Sequence, residues 1–234
     1  DKMEIRINQL LTGAAQAEGL TVIIDVFRAF SLECYLFDYG AASVTAVGSL
    51  EEAFRLKQED PSRILIGERR GRIVEGCDFG NSPSQIPAAA VAGRPVIHTT
   101  SAGTQGLAAA VHASELITGS LVNARAAASY IAARDPQVVS LCCMGLGGER
   151  ETDEDTLCAE YICSLLLGEE LTDMPARMEA LSRTSGAKFF KPEYAEIFPS
   201  ADFRLCTQLN RFPFVIRVRR EADGRNTMLR TNLP

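Results

Sequence analysis

Short runs rich in apolar and β-branched residues alternate along this chain with segments of helical pattern. The runs predicted as strands lie at 3–7, 20–25, 42–47, 63–67, 93–100, 115–118 and 137–144. The segments predicted as helices lie at 29–39, from 49 onward, and at 86–92, 104–113, 123–135, 152–167 and 173–182. Strands that alternate with helices favour a largely parallel sheet with helices on both faces. The pattern therefore predicts an α/β fold with three layers, α/β/α.

The C-terminal part departs from this alternation. "FPFVIRVRR" and "TMLRT" flank "ADGRN" and predict a terminal hairpin, so the sheet should be mixed. An exposed β-edge or hairpin at 212–230 could support a homodimer. We expect one domain over residues 1–234, although a weak boundary at 165–175 means that the fold could comprise two subdomains.

Composition excludes several classes of partner. No apolar run approaches the roughly 18 residues that a membrane span needs, and the first residues lack a signal-peptide pattern. The net charge of −6 argues against a nucleic-acid partner. The seven cysteines are scattered without a CxxC, which predicts buried free thiols in a reducing cytoplasm. The two histidines, His98 and His112, are expected to be structural and are too few for a multi-histidine metal site.

Four polar clusters follow predicted strands, where ligands bind in open α/β sheets. They are "DVFRAFS" (with Asp25, Arg28 and Ser31), "GERRGRIVEGCDFGNSP", "TTSAGT" and "GLGGERETDEDTLCAE". Each has a simpler explanation. Asp25 and Ser101 could cap helices, and the acids after Thr152 could favour a helix dipole.

The second cluster is the hardest to explain as a plain loop, because it is dense in directional polar groups between glycines. It contains Glu68, Arg69, Arg70, Arg72, Asp78, Asn81 and Ser82. The arginine fork suits phosphate, carboxylate or sulfonate oxygens. Taken together, the clusters predict a site for a small, multiply anionic ligand, with carboxylates left over to hold a divalent ion.

At these residues the chain resembles the 2-phosphosulfolactate phosphatases, magnesium-dependent enzymes of coenzyme M biosynthesis. The matching stretches are "IDVFRAFS", "GERRGRIVEGCDFGNSPSQI", "TTSAGTQGL", "EDTLCAEYI" and "SADFRLCTQLNRFPFVIRV", which span about residues 20 to 218. The resemblance implies hydrolysis of 2-phosphosulfolactate to 3-sulfolactate and phosphate with Mg²⁺ as cofactor.

The resemblance also suggests residue roles. Asp25, Glu68 and Asp78 are the predicted catalytic residues, with Asp78 or Glu68 activating water. Asp25, Glu154 and Asp155 are the predicted metal ligands. The predicted substrate contacts are Arg28, Ser31, Arg69, Asn81, Ser82, Thr100, Ser101, Gly103 and Thr104. A covalent aspartyl-phosphate on Asp25 stays open beside direct attack by water, although a DxD pattern fails because Phe27 takes the place of the second acid.

Two departures from the family pattern line the predicted pocket. "TTSAGT" is one residue longer than the commoner TTNGT, and Phe30 stands where a small or hydroxyl residue is more usual. One alternative is therefore a divergent member acting on another phosphorylated hydroxy acid. The other is a non-catalytic anion-binding protein. Retention of all the acids speaks against the second, because binding an anion does not require carboxylates beside it.

Overall fold

Ten strands form one mixed sheet in the computed structural model, which describes residues 3–233. Residues 1, 2 and 234 of the predicted domain lie outside this range. The strands are β1 (Glu4–Gln9), β2 (Gly19–Ile24), β3 (Ser43–Ala46), β4 (Ile64–Arg69), β5 (Arg72–Ile73), β6 (Pro95–Thr99), β7 (Ala113–Gly119), β8 (Val138–Cys143), β9 (Phe214–Arg220) and β10 (Asn226–Asn232). All the strands predicted from the sequence are present, and the prediction of an α/β fold is confirmed.

Helices connect most of these strands. They are α1 (Leu10–Ala15), α2 (Ala29–Asp38), α3 (Leu50–Glu59), α4 (Ala88–Val91), α5 (Gly103–Ala109), α6 (Ala124–Arg134), α7 (Asp153–Leu167), α8 (Met174–Ala180) and α9 (Ser200–Cys206). Ser49 caps α3 as its sequence predicts, because its hydroxyl accepts a hydrogen bond from the N–H of Glu52 at 3.1 Å. Within the described part of the chain, no helix is both long and apolar enough to cross a membrane.

Helices cover both faces of the sheet, and the burial of β2 on both sides is the evidence for this. In β2, Ile23 packs into one apolar cluster with residues of α2 and α5. Its neighbours Val22 and Ile24 face the opposite cluster, which contains residues of α6 and α7. Successive side chains of a strand point to opposite faces, so β2 lies between two helical layers. The predicted α/β/α layering follows from this alternation.

The terminal hairpin lies in the middle of the sheet. The strand order is β1-β8-β2-β7-β9-β10-β3-β6-β4-β5. β9 pairs with β7 as well as with β10, and β10 pairs with β3, all antiparallel. The prediction of a mixed sheet is confirmed. The prediction of an exposed edge at 212–230 is wrong, because both hairpin strands already have neighbours on either side.

The hairpin joins two groups of parallel strands, β1-β8-β2-β7 and β3-β6-β4. Three successive pairings between the groups are antiparallel: β7 with β9, β9 with β10, and β10 with β3. Along the sheet, the strands of the second group therefore run opposite to those of the first. A twist of roughly 20–25° per strand pair rotates β6 by about 100–125° relative to β2 over the five intervening steps. This rotation helps the carboxyl end of β6 to approach that of β2. At the contact, a Cβ placed on Gly103 would lie 3.0 Å from Asp25 Oδ2.

Candidate active site

Asp25 follows β2 directly and is the first acid of the site. Its side chain is buried, and Oδ1 accepts a hydrogen bond from the N–H of Ala29 at 3.2 Å, at the first residue of α2. The capping role considered from the sequence is therefore real, but it uses one oxygen only. Oδ2 accepts no hydrogen bond within the described residues and faces Gly103.

Asp155 ties three segments together. Its Oδ1 accepts from the N–H of Val26 at 2.9 Å, and its Oδ2 accepts from the N–H of Gly145 at 2.8 Å. These bonds link the first turn of α7 to the loops that follow β2 and β8. Burial, and then the negative charge of Glu154, raises the pKa of Asp155 well above its ordinary value, although the two N–H donors oppose this shift.

Glu154 is the least satisfied acid of the site. Its side chain is 3% exposed, and Oε2 is buried without a hydrogen-bond partner among the described residues. Burial, followed by the negative charges of Glu68 and Glu154, raises the pKa of Asp25 to about 7. Unpaired buried carboxylates are costly, so this part of the site is suited to receive a positive group.

Glu68, near the end of β4, holds two loops in place. Its Oε1 accepts from the N–H of Ser101 at 2.6 Å, and its Oε2 accepts from the N–H of Gly71 at 2.7 Å and from Ser101 Oγ at 3.0 Å. Ser101 therefore does not cap α5, which was the simpler explanation for it. Because its oxygens already accept three hydrogen bonds, Glu68 is better placed to hold these two loops than to activate water.

The "TTSAGT" loop is closed by its own threonines. The N–H of Thr100 donates to Thr104 Oγ1 at 2.9 Å, and the N–H of Thr104 donates to Thr100 Oγ1 at 3.1 Å. Both threonines are buried. Gly103 sits between them in sequence, and its lack of a side chain is what lets the loop lie against Asp25.

Arg28 was predicted to contact the substrate, and the structure gives it a network of protein partners. Its Nη1 donates to Asp202 Oδ2 and to the carbonyl oxygen of Ile197, both at 2.8 Å, and its Nη2 donates to the carbonyl oxygen of Gly71 at 3.1 Å. Arg28 and Asp202 are both buried. This arginine joins "DVFRAFS" to α9 and to the segment before it, and most of its guanidinium donors are occupied.

Within residues 3–233, the side chains of Arg69 and Asp78 make no hydrogen bond to Asp25, Glu154 or Asp155. Arg69 follows Glu68 in a strand, so it points to the opposite face, where Nη2 donates to Thr99 Oγ1 at 3.0 Å. Asp78 Oδ2 binds the N–H of Leu65 and Lys57 Nζ, at 2.7 and 2.9 Å, near the amino end of β4. Partial burial raises the pKa of Asp78, but these bonds outweigh it and leave that pKa below its ordinary value.

The two predicted serine contacts differ in their surroundings. Ser31 Oγ donates to the carbonyl oxygen of Val26 at 2.7 Å and lies 2.6 Å from Ser120 Oγ, so its hydroxyl is committed inside the fold. In the described part of the chain, the one hydrogen-bond partner of Ser82 Oγ is Ser84 Oγ, at 3.3 Å. Both serines are buried.

Asn81 is held by a histidine. His98 Nε2 lies 2.9 Å from Asn81 Oδ1, and His98 Nδ1 lies 2.8 Å from Glu33 Oε1. His98 is fully buried, as its expected structural role requires, while His112 is exposed. Nothing in the sequence pattern connects Glu33 with the site, since it lies inside an ordinary helix.

Lys188 is a second residue that the sequence analysis missed. It lies in a 3₁₀ turn (Ala187–Phe190), and its Nζ is 4.9 Å from the centroid of the Phe198 ring. Burial lowers the pKa of Lys188, and the negative charge of Glu154 opposes that shift. A lysine in an irregular segment carries no periodic signal. Only its position directly before two phenylalanines in "AKFFKP" could have drawn attention to it.

The acids do not form a ready-made metal cage. Across residues 3–233, no group of three or more His, Cys, Asp or Glu side chains converges closely enough to hold a metal ion. Of the three predicted ligands, Asp155 has both oxygens bound to N–H groups, whereas Asp25 and Glu154 each keep an oxygen without a donor among the described residues. Two uncommitted carboxylate oxygens fit a hard cation that takes its remaining ligands from water and phosphate.

All seven cysteines are free, which confirms the prediction from their spacing. Five of them are buried, and Cys77 and Cys163 are partly exposed. Burial raises the pKa of Cys142 to about 12, so this thiol is a poor nucleophile.

Comparison with known proteins gives one consistent result. The family model described as 2-phosphosulpholactate phosphatase matches residues 5–221. A protein of Carboxydothermus hydrogenoformans described as a probable 2-phosphosulfolactate phosphatase is 36% identical over 199 residues, which are 81% of this chain and 82% of that protein.

Two further relatives carry the same description. The Bacillus subtilis (strain 168) protein is 28% identical over 205 residues, which are 87% of this chain and 89% of the relative. The Synechocystis protein is 32% identical over 193 residues, which are 82% of this chain and 80% of the relative.

Breaking the buried Arg28–Asp202 ion pair should lower the stability of the protein. We expect Asp202→Asn to lower the free energy of unfolding by about 3–5 kcal/mol, because it leaves a buried guanidinium without its counter-charge. Urea denaturation measures this. Asp173→Asn, which breaks the exposed Asp173–Arg177 pair, should leave stability almost unchanged. A normal denaturation midpoint for Asp202→Asn with a greatly raised KM would instead make Arg28 a substrate contact.

Proposed function

The chain belongs to the 2-phosphosulfolactate phosphatase family and is therefore a phosphoric monoester hydrolase, and we propose that it hydrolyses 2-phosphosulfolactate to 3-sulfolactate and phosphate with the help of Mg²⁺. The observation that most supports this proposal is the buried, unpartnered oxygen of Glu154 close to Asp25. A binding-only role is not favoured, since a protein that merely held an anion would gain nothing from burying acids beside it.

Asp25 and Glu154 would hold the metal. Their carboxylate oxygens are hard donors, and burial together with nearby negative charge raises the pKa of Asp25 to about 7. A divalent ion would stabilise the charged form of both acids. Bound there, Mg²⁺ would supply charge neutralisation for the phosphoryl oxygens.

The remaining residues would bind and orient the substrate. That substrate carries phosphate, carboxylate and sulfonate groups, so it needs positive or N–H donors opposite the acids. Lys188 offers an ammonium group near Glu154, and Asn81 offers a side-chain amide. Glu68 and Asp155 would fix the surrounding loops through their backbone hydrogen bonds. In this proposal the protein supplies positioning and electrostatics, as phosphoryl transfer requires.

We also propose that the reaction belongs to coenzyme M biosynthesis and takes place in the cytoplasm. The first part rests on the family resemblance. The free, mostly buried thiols support the second, because a reducing compartment keeps such cysteines unpaired.

Magnesium dependence is tested by chelation. We expect EDTA to abolish hydrolysis of 2-phosphosulfolactate and added Mg²⁺ to restore it. Glu154→Gln should raise the Mg²⁺ concentration needed for half-maximal activity by about tenfold or more, because it removes one anionic ligand. Glu160→Gln changes an exposed acid of the same helix and should behave like the parent chain. Turnover that survives complete chelation would remove the metal from the proposal.

Asp25 is tested by an isosteric change. Asp25→Asn should lower kcat by about a hundredfold or more, whether the carboxylate binds the metal or attacks phosphorus. Asp38→Asn, at an exposed acid of α2, is the matched control. The stereochemistry at a chiral phosphoryl group then separates the two routes, since a covalent aspartyl-phosphate gives retention and direct attack by water gives inversion. Near-normal activity would leave Asp25 with a capping role alone.

Lys188 is tested by removing its charge. Lys188→Met should lower kcat/KM by about tenfold to a hundredfold, the usual effect of losing one hydrogen bond to a charged group. Lys191→Met, at an exposed lysine three residues further on, should have little effect. Equal losses in both variants would show that Lys188 has no special contact with the substrate.

A further inference from the structure

The turn between β4 and β5 places an arginine in a backbone conformation that arginine disfavours. Arg69 pairs with Arg72 across the two strands, so Arg70 and Gly71 form a two-residue turn. φ is 54° at Arg70 and 80° at Gly71, and a hairpin turn with positive φ at both positions favours asparagine or glycine at the first. Arginine costs free energy here that glycine avoids. Such a cost points to a use for the side chain.

Three segments of the candidate site hold this turn by its backbone. The N–H of Arg70 donates to Ser101 Oγ at 2.8 Å. The N–H of Gly71 donates to Glu68 Oε2 at 2.7 Å, and the carbonyl oxygen of Gly71 accepts from Arg28 Nη2 at 3.1 Å. The backbone of Arg70 is therefore fixed by contacts from β4, from the "TTSAGT" loop and from the "DVFRAFS" segment.

These contacts place the turn at the rim of the site. A Cβ on Gly71 would collide with the ring of Phe198, and Lys188 Nζ lies 4.9 Å from the centroid of the same ring. On the other side, the loop that holds Arg70 continues to Gly103, where a Cβ would lie 3.0 Å from Asp25 Oδ2. The turn thus stands between the ring that carries the Lys188 ammonium and the loop that touches Asp25.

The side chain of Arg70 is left available by this arrangement. It is exposed, and its guanidinium makes no hydrogen bond or ion pair within residues 3–233. The guanidinium of Arg28, by contrast, binds Asp202 and two carbonyl oxygens, and that of Arg69 binds Gly48 and Thr99. A guanidinium carries five N–H donors and a permanent charge, which suit the oxygens of a strong acid.

We propose that Arg70 is a specificity-determining residue whose guanidinium binds the sulfonate of the substrate. This inference rests on the proposed function of the same site. With the phosphate held at Asp25 and Glu154, the sulfonate is on a neighbouring carbon and extends away from the acids, toward the rim where Arg70 stands. A charged group at that position distinguishes a substrate with a second strong anion from one without it.

Two ligands that share different parts of the substrate test this contact. Arg70→Met should lower kcat/KM for 2-phosphosulfolactate by about tenfold to a hundredfold, mainly through KM. By calorimetry, the affinity for 3-sulfolactate should fall by a similar factor, while that for inorganic phosphate should change by less than about twofold. Equal losses for both ligands would overturn the proposal, because they would reflect a general change in the site. Unchanged affinity for 3-sulfolactate would make Arg70 a solvated surface arginine only.

A second variant separates substrate contact from a role in the turn itself. Asparagine is favoured at the first position of such a turn, so Arg70→Asn should have a urea denaturation midpoint equal to or above that of the parent chain. Its affinity for 3-sulfolactate should nevertheless fall as it does in Arg70→Met. Arg70→Lys keeps the charge but not the fork, and should recover part of the affinity. Normal affinity in Arg70→Asn, or a lowered midpoint in both uncharged variants, would overturn the proposal.

The same measurements distinguish failure of this inference from failure of the proposed function. If the parent chain binds 3-sulfolactate through Arg70 but does not turn over 2-phosphosulfolactate, the proposed function fails and the role of Arg70 stands. If Arg70→Met hydrolyses 2-phosphosulfolactate with the constants of the parent chain, the function stands and the inference fails. A parent chain with neither turnover nor binding would overturn both. Arg204→Met, at an exposed arginine of α9, is the matched control and should behave like the parent chain.

Discussion

The two hydrogen bonds that Asp155 accepts from backbone N–H groups are the constraint on which the site depends. They fix the first turn of α7 against the loops after β2 and β8, at 2.9 and 2.8 Å. Glu154 is carried on the same turn, and Asp25 on the first of those loops. Burying the Asp155 carboxylate costs free energy by itself. Its hydrogen bonds to the backbone nevertheless hold Glu154 and Asp25 close together.

This arrangement divides the polar residues into two kinds. Glu68, Asp155, Arg28 and the threonines of the "TTSAGT" loop have their hydrogen-bonding atoms largely engaged within the protein. Asp25, Glu154, Asn81 and Lys188 keep polar atoms that make no hydrogen bond within residues 3–233. The first kind gives the site its rigidity, and the second kind is the set that the proposed function assigns to substrate and metal. The preorganised groups lower the reorganisation needed during phosphoryl transfer.

The sequence predicted the strands, most helices and the layers, because buried strands and capped helices leave strong local patterns. It also pointed to loops that the structure brings together around Asp25. It could not say which residues of a loop face inward: Arg69 and Glu68 are adjacent, yet strand alternation sends them to opposite faces. Asp78 lies only ten residues from Glu68, but the return of the chain along β4 places it at the other end of that strand. Lys188 and Glu33 were missed because only long-range packing connects them with the acids.

The central position of the hairpin also bears on how the chain acquires its structure during synthesis. β9 and β10 follow every other described strand in sequence, yet they join the two parallel groups. Until they emerge from the ribosome, β7 and β3 each present an unpaired edge, and such edges invite association with other chains. A nascent chain of this topology should therefore depend on chaperones for longer than one whose final hairpin merely extends the border of a finished sheet.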